Sequence, residues 1–440
     1  RAARASRPAT PTARIAVHRT AISELRRIHA GGHLSDAGFK ADKSAWYAAQ
    51  RAARKLSGTR RTQLAAVMAI LNGIAARGKL TASRVAPLWT TLERNTEWWT
   101  TAPWIPASGE RVGFSEDDLV WQFYPGSGLQ IQWLGTFGQL NWLIQSTSQS
   151  NVQRASRMVD EILPLASSRA GGLAWEYEFP FDGGAPPWTS SLSQGTGLQA
   201  LARSARRLGR QADILPVTQK ALKLFQVAPP QGVRVAVPGG LHYVQYSFAP
   251  GLRILNGFIQ SLVGLYDYAS ITGDQTAQSL FARGETAAER ETPSYDTGAW
   301  SLYERGSGSY ESNLNYHELL RDFLSNLCQR TDVAVFCDTA AHFTADLTTP
   351  PKLAVPAQRL RPGRLGVLRV RLDKISSLSL RVTHDGQTVL ARSLGTVGHG
   401  TIAVRWAVPR HTGSYAVSVS ARDLAGNIGT ASGTVRVRRG

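Results

Sequence analysis

Cysteine is almost missing from this 440-residue chain, which has only Cys328 and Cys337. Two thiols are too few for a thiolate metal site, and their spacing is too wide for a Cys-x-x-Cys redox motif. In "LCQRTDVAVFCDTA" they read as a small disulfide loop, which implies an oxidising compartment; two buried free thiols are the alternative. Long apolar runs are also missing, so no segment reads as a membrane-spanning helix. Acidic residues are the scarcer charge, 31 against 50 Lys and Arg, for a net charge of +19. That excess favours polyanionic partners, although a plain arginine bias in composition would leave the same mark. Nucleotide-binding signatures are incomplete: "PGSGLQ" lacks the lysine of a phosphate loop and the third glycine of a dinucleotide fingerprint. The basic charge is spread along the chain with no nucleic-acid reader motif, so nucleic acid is not the expected partner. No metal-ligand set is visible. The acid cluster Ser115–Asp118, "SEDD", reads as a solvated loop, with calcium as the lesser alternative. No metal or cofactor is therefore expected.

What is present is a globular composition, 42% hydrophobic, on a length that suits two or three domains. The chain starts at Arg1 without methionine, and "RAARASRPATPTAR" reads as a mobile tail left by a removed leader. Residues 1–40 are then a tail and a first helix. From 41 to 110 helical hairpins are expected. Leu64, Val67, Met68, Leu71 and Ile74 share one face, Gly78 stops that helix, and Thr81 caps the next, whose face carries Val85, Leu88, Trp89 and Leu92. Further helices are expected at about 192–208, 217–226, 254–270 and 277–292, with another starting near Tyr316. Short aromatic and polar segments separate them. The reading is a mainly α fold: an α/α toroid with short strands over 111–348, whose connections line a groove suited to a sugar chain. After a linker at 349–357, residues 358–440 alternate apolar and polar with period two, and Asp385–Gly386 is a hairpin turn signal. This tail reads as an Ig-like β-sandwich and resembles modules appended to secreted bacterial proteins.

The segment Ser294–Leu320, "SYDTGAWSLYERGSGSYESNLNYHELL", crowds together tyrosines, a tryptophan and a histidine with neither helical nor strand periodicity until its end. Its "YDTGAWSLYERG" followed by "LNYHELL" resembles the C-terminal domain of D-glucuronyl C5-epimerases. "SLSQGTGLQALAR", "YVQYSFAPGLRILNGFIQSLVGLYDYASITGD" and "FYPGSGLQIQWLG" are similar to further blocks of that family in the same order, over roughly 113–343. The resemblance implies catalytic tyrosines at Tyr316, Tyr246 and Tyr295. It also suggests substrate contacts from Tyr303, Arg305, His317, Arg253, Gln245, Gln194, Glu176, Glu178, Tyr124, Trp300 and Asn256. Where the animal enzymes carry a glutamate before the second tyrosine, this chain has Gln245. Either Tyr246 and Tyr316 carry both proton transfers, or an acid such as Glu176 or Glu178 substitutes, or the reaction has changed.

The chemistry explains the phenols. Epimerisation at C5 removes a proton alpha to a carboxylate and returns one to the other face, so it needs acid/base groups on both sides. A donating or cationic cradle must hold the charge that develops. Tyrosine, with an ordinary pKa of about 10, becomes a useful base when nearby arginines lower it. Arg253 and Arg305 are candidates to grip a uronate carboxylate with both guanidinium nitrogens. The expected function is a secreted or cell-surface enzyme epimerising glucuronate in an acidic polysaccharide, with cell-surface association through the tail module. A polysaccharide lyase on the same scaffold and a non-catalytic glycan-binding protein are the alternatives.

Overall fold

The computed structural model describes residues 19–306 and 310–439, mainly helical with a strand-rich C-terminal region. The tail expected ahead of the first helix lies outside the described residues. The described chain divides into two compact units.

The first unit runs to Val112 and also takes in Trp121–Ile131 and Glu178–Pro187. It holds helices α1 (Ala21–Ala30), α2 (Asp36–Lys55), α3 (Gly58–Ala76) and α4 (Ala82–Thr101). Leu64, Val67, Leu71 and Ile74 of α3 and Val85, Leu88, Trp89 and Leu92 of α4 are buried, so the faces set by helical periodicity form the core. Gly78, at φ 65°, follows the end of α3. Thr81 occupies the N-cap position of α4, but its side chain makes no capping bond. Instead its hydroxyl pairs with that of Ser83 at 3.3 Å. Buried Asn95 ties α4 to the strand Gly128–Ile131, its Oδ1 accepting the Leu129 N–H at 2.8 Å and its Nδ2 donating to the Leu129 carbonyl at 2.7 Å. A Cβ at Gly128 would lie 2.5 Å from that Oδ1, so the approach depends on a glycine there.

The second unit contains α5 (Trp133–Gln145), α6 (Gln149–Ile162), α7 (Ser191–Leu208), α8 (Gln211–Ala221), α9 (Leu255–Thr272), α10 (Gln275–Glu291), α11 (Leu314–Thr331) and α12 (Ala334–Asp346). Helices α5, α7, α9 and α11 pack side by side in that order, and each carries the helix that follows it, α6, α8, α10 and α12. The row explains the composition of its members. Helices α7 and α9 are buried on nearly every face, whereas α6 and α10 bury one stripe. The close crossing of α7 and α9 depends on small residues: a Cβ on Gly264 would lie 2.1 Å from the Gly195 carbonyl oxygen. Helices α7 and α9 both end on left-handed glycines, Gly209 and Gly273. Cys328 and Cys337 form a disulfide that joins α11 to α12.

The C-terminal strands make two sheets. One has the order Leu353–Ala354, Leu365–Leu372, Gly400–Ala407. The other runs Gln358–Leu360, Ile428–Val437, Gly413–Asp423, Ser376–His384, Gln387–Val397. Alternate residues from both sheets, among them Leu368, Val370, Val404 and Trp406 on one and Leu380, Val382, Tyr415 and Val417 on the other, share one core. Asp385 and Gly386 take φ of 47° and 77°, the positive values a type I′ hairpin turn requires. Within 349–357, expected as a linker, Leu353–Ala354 pairs with Leu365–Leu372 and so belongs to the first sheet.

Among the contacts that bind the strand region to the helical region, those of Glu311 and Lys374 are buried. Glu311 sits in the strand Tyr310–Glu311, opposite Leu302 of the strand Leu302–Arg305. Its nearly buried carboxylate accepts the backbone N–H of Ile375 at 2.9 Å and of His399 at 2.8 Å. Lys374, only 1% exposed, donates to the carbonyls of Asp346 (2.8 Å) and Thr349, pairs with Asp423 at 2.7 Å and lies over the Trp300 ring.

Candidate active site

The segment that showed no periodicity forms a turn, a strand and a helix start. Tyr295 closes the short helix Thr292–Tyr295, Leu302–Arg305 is a strand, and Tyr316 lies in the first turn of α11. Asn313 caps α11, its side chain accepting the Tyr316 N–H at 2.9 Å. The strand alternates: Leu302 and Glu304 are buried while Tyr303 and Arg305 turn the other way.

Three phenols meet here, and they are Tyr246, Tyr303 and Tyr316. The Tyr303 hydroxyl is close enough to both of the others to interact with them electrostatically, and its ring lies 4.6 Å from that of Tyr316. Tyr246 follows the strand Gly240–Tyr243 and is wedged between Phe248, stacked at 5.4 Å, and the edge of Trp188 at 5.7 Å. Tyr316 is 41% exposed, so one end of the row opens to solvent. Gln245 Nε2 donates to the Tyr246 hydroxyl at 3.0 Å.

Tyr295 does not join the row. It is 1% exposed, and its hydroxyl donates to the Arg253 carbonyl at 3.0 Å. The arginines stand beside this buried ring: Arg305 lies 5.8 Å above it, and Arg253 pairs in register with Arg305. Arginines were expected to lower the tyrosines, but at Tyr295 and Tyr303 the shift is upward. Burial, which penalises the phenolate, pushes Tyr303 well above the ordinary phenol range, and Tyr246 and Tyr316 add to it. Burial does the same to Tyr295, with Glu291 assisting and Arg305 and Arg253 opposing. One nitrogen of the Arg253 guanidinium, Nη1, is buried without a hydrogen-bond partner.

Several other residues singled out from the sequence serve the scaffold. His317 is fully buried and stacks on Trp300 at 3.8 Å. Its Nε2 bonds the Phe343 carbonyl at 3.0 Å and its Nδ1 accepts the Ser301 N–H at 3.2 Å, which fixes the proton on Nε2. Burial pushes its pKa down to about 4. Trp300, equally buried, donates to the Ser312 carbonyl. Gln194 bonds both the N–H and the carbonyl of Trp175, a backbone role. The Glu176 carboxylate is buried against Arg169 at 2.6 Å and is thereby committed to an ion pair. Asn256 is buried in the first turn of α9. Glu178 and Tyr124 belong to the first unit, where Tyr124 packs on Phe179 at 4.4 Å. In the "SEDD" cluster, Asp118 is ion-paired with Arg154 at 2.5 Å.

Comparison with known proteins finds a match over this segment. Residues 170–345 match the family described as D-glucuronyl C5-epimerase C-terminus. Over 132 residues, 27% of the chain, the sequence is 34% identical to the D-glucuronyl C5-epimerase of Caenorhabditis elegans and spans 21% of that protein's length. Among solved structures, a sugar epimerase from a ruminal bacterium is similar at 11% identity, with a TM-score of 0.41 over 59% of this chain and 69% of the other. The cellobiose 2-epimerase of Spirochaeta thermophila is similar at 16% identity, with a TM-score of 0.38 over 65% and 72%.

Proposed function

We propose that the chain is a uronate C5-epimerase and that the neighbouring phenols Tyr246, Tyr303 and Tyr316 are its proton-handling device. The row itself, on a segment that matches the epimerase family, is the observation that carries the reading. The charge logic assigns roles. Tyr303 is held neutral by burial, so it acts as a donor and stabilises charge on its neighbours. Gln245 aims a donor at Tyr246. A donor on that phenol oxygen, beside a neutral Tyr303, favours negative charge there, which makes Tyr246 the base that removes the C5 proton. A carboxylate in place of Gln245 would instead repel that charge, so the glutamine is compatible with Tyr246 chemistry. Tyr316, open to solvent, returns a proton to the opposite face. Arg305, exposed and on the same strand face as Tyr303, is the cation suited to the uronate carboxylate.

The substrate class in this proposal is an acidic, uronate-containing polysaccharide, in keeping with the net charge of +19. The catalytic domain spans 111–348 as part of an α/α toroid, preceded by the helical region 41–110 and followed by an Ig-like module from 358 to 440. The disulfide supports secretion, and among the described residues no helix is long and apolar enough to cross a membrane.

Incubation with glucuronate polymers in deuterated water tests the reading. Deuterium at C5 without chain cleavage is expected. The Tyr303→Phe and Tyr316→Phe variants should each lower incorporation by about 10²–10⁴-fold, the range of a positioned acid or base, with glycan affinity little changed. An unsaturated product with falling chain length would mean a lyase instead, and binding with neither outcome a glycan-binding protein.

A further inference from the structure

The turn after Tyr295 contains a second cluster of polar groups, outside the tyrosine row. Asp296 follows Tyr295, while His342 and Asp346 lie one helical turn apart on α12. Asp296 Oδ2 is 2.6 Å from His342 Nδ1, and its other oxygen accepts the Gly298 N–H at 2.7 Å. A carboxylate at that distance holds a proton on Nδ1, so the neutral ring has its lone pair on Nε2; the same aspartates favour protonation there, so an ion at Nε2 must displace a proton. That lone pair faces Asp346 Oδ1 at 3.6 Å, too long for a hydrogen bond. Asp346 is only 4% exposed, and its Oδ2 has no hydrogen-bond partner. Two acceptors therefore confront each other with a buried carboxylate oxygen left over, and a cation between them resolves both problems. The separation suits an ion: two ligands at about 2.0–2.1 Å on a tetrahedral centre lie about 3.4 Å apart.

We propose that Asp296, His342 and Asp346 form a divalent-cation site. The ligand atoms of these three residues lie within 4.8 Å of one another. His342 Nε2 and the Asp346 carboxylate hold the ion, and Asp296 orients the imidazole from behind, the carboxylate–histidine–metal arrangement common at such centres. One imidazole nitrogen with carboxylate oxygens selects a zinc-like ion over magnesium or calcium, which prefer all-oxygen shells. Its role is to pin the turn that leads into the Tyr303 strand onto the end of α12, where Lys374 already grips the Asp346 carbonyl.

The test is direct metal binding to the untagged full chain after chelator treatment, which is independent of any catalytic activity. Calorimetric titration with Zn²⁺ should show one saturable site per chain and a raised thermal midpoint, and Co²⁺ should give visible absorption from a nitrogen–oxygen shell. Asp346→Asn and His342→Gln should abolish the site. Asp296→Asn, which keeps both ligands and is the milder change, should weaken affinity by about 10–100-fold. No saturable uptake by the unmutated chain would overturn the proposal and leave His342 as a protonated ion-pair partner of the two aspartates. Uptake undiminished in Asp346→Asn would place the ion elsewhere and overturn it equally.

Discussion

Acidification should unlock the site through His317. Burial holds this imidazole down to about 4 in the folded chain, from an ordinary value of 6.5. A base whose folded pKa lies below its unfolded one contributes its full stability above about pH 6.5. That contribution is lost as pH falls towards about 4, because in this window the unfolded chain takes up a proton that the folded chain refuses. At about 1.4 kcal/mol per pKa unit, the whole gap is worth about 3 kcal/mol, of which about 2 kcal/mol is gone by pH 5. The assay is a urea midpoint at steps from pH 7.5 to 4, run on the native chain and on His317→Gln. Glutamine can still donate to the Phe343 carbonyl and accept from Ser301, but it does not titrate. The variant should be the weaker protein at neutral pH, and the difference should close on acidification. Deuterium incorporation should fall in the same window, since Ser301, held by His317, heads the strand that carries Tyr303. Parallel loss of stability in the two chains would show that His317 does not titrate as its burial requires.

Three further outcomes are expected. Glu311→Gln removes charge from a nearly buried group that accepts two backbone N–H bonds, and should cost about 2–3 kcal/mol in urea unfolding as well as part of the C5 exchange rate; equality with the native chain in both would remove Glu311 from any positioning role. Gly264→Ala gains about 1 kcal/mol of helix propensity but drives a Cβ to 2.1 Å from the Gly195 carbonyl oxygen, so its unfolding midpoint should fall, whereas Gly138→Ala on α5, with open space around it, should raise the midpoint slightly. Tyr295→Phe loses its bond to the Arg253 carbonyl and should cost about 1 kcal/mol while leaving exchange within a few-fold, in contrast to Tyr303→Phe, and circular dichroism melts alongside exchange rates would separate the two.

The helical faces of α3 and α4 were readable because burial on a helix follows a period, and the paired strands of the tail for the same reason at period two. The disulfide was readable from scarcity, since two cysteines offer one pairing. The tyrosine row was readable only in part. Motif proximity favoured Tyr295, yet that ring is buried and bonded to the Arg253 carbonyl, and it is Tyr303 that lies beside Tyr246 and Tyr316. The alternation in "LYER" was the available signal: it sets Tyr303 and Arg305 on the face opposite Leu302 and Glu304. Glu176 looked like a spare acid because its partner Arg169 sits across a hairpin, where no local pattern shows the pairing. The cluster of Asp296 with His342 and Asp346 left one trace, a His and an Asp four residues apart on a helix. The third member comes from a turn 46 residues earlier in the chain. Burial of an ionisable side chain depends on such distant neighbours, so it had no one-dimensional signature.

Lys374 has a bearing on how such proteins are assembled. Its ammonium group belongs to the strand-rich tail by sequence, yet it closes off the last carbonyls of a helix in the preceding region and rests on Trp300. Cutting the gene at the proline pair before it would strip a charge from over the Trp300 ring. Shuffling the tail for an unrelated module would also import a vacancy there. The seam therefore behaves less like a detachable label than like a keystone, and any evolutionary or engineered exchange at this boundary has to bring its own buried cation.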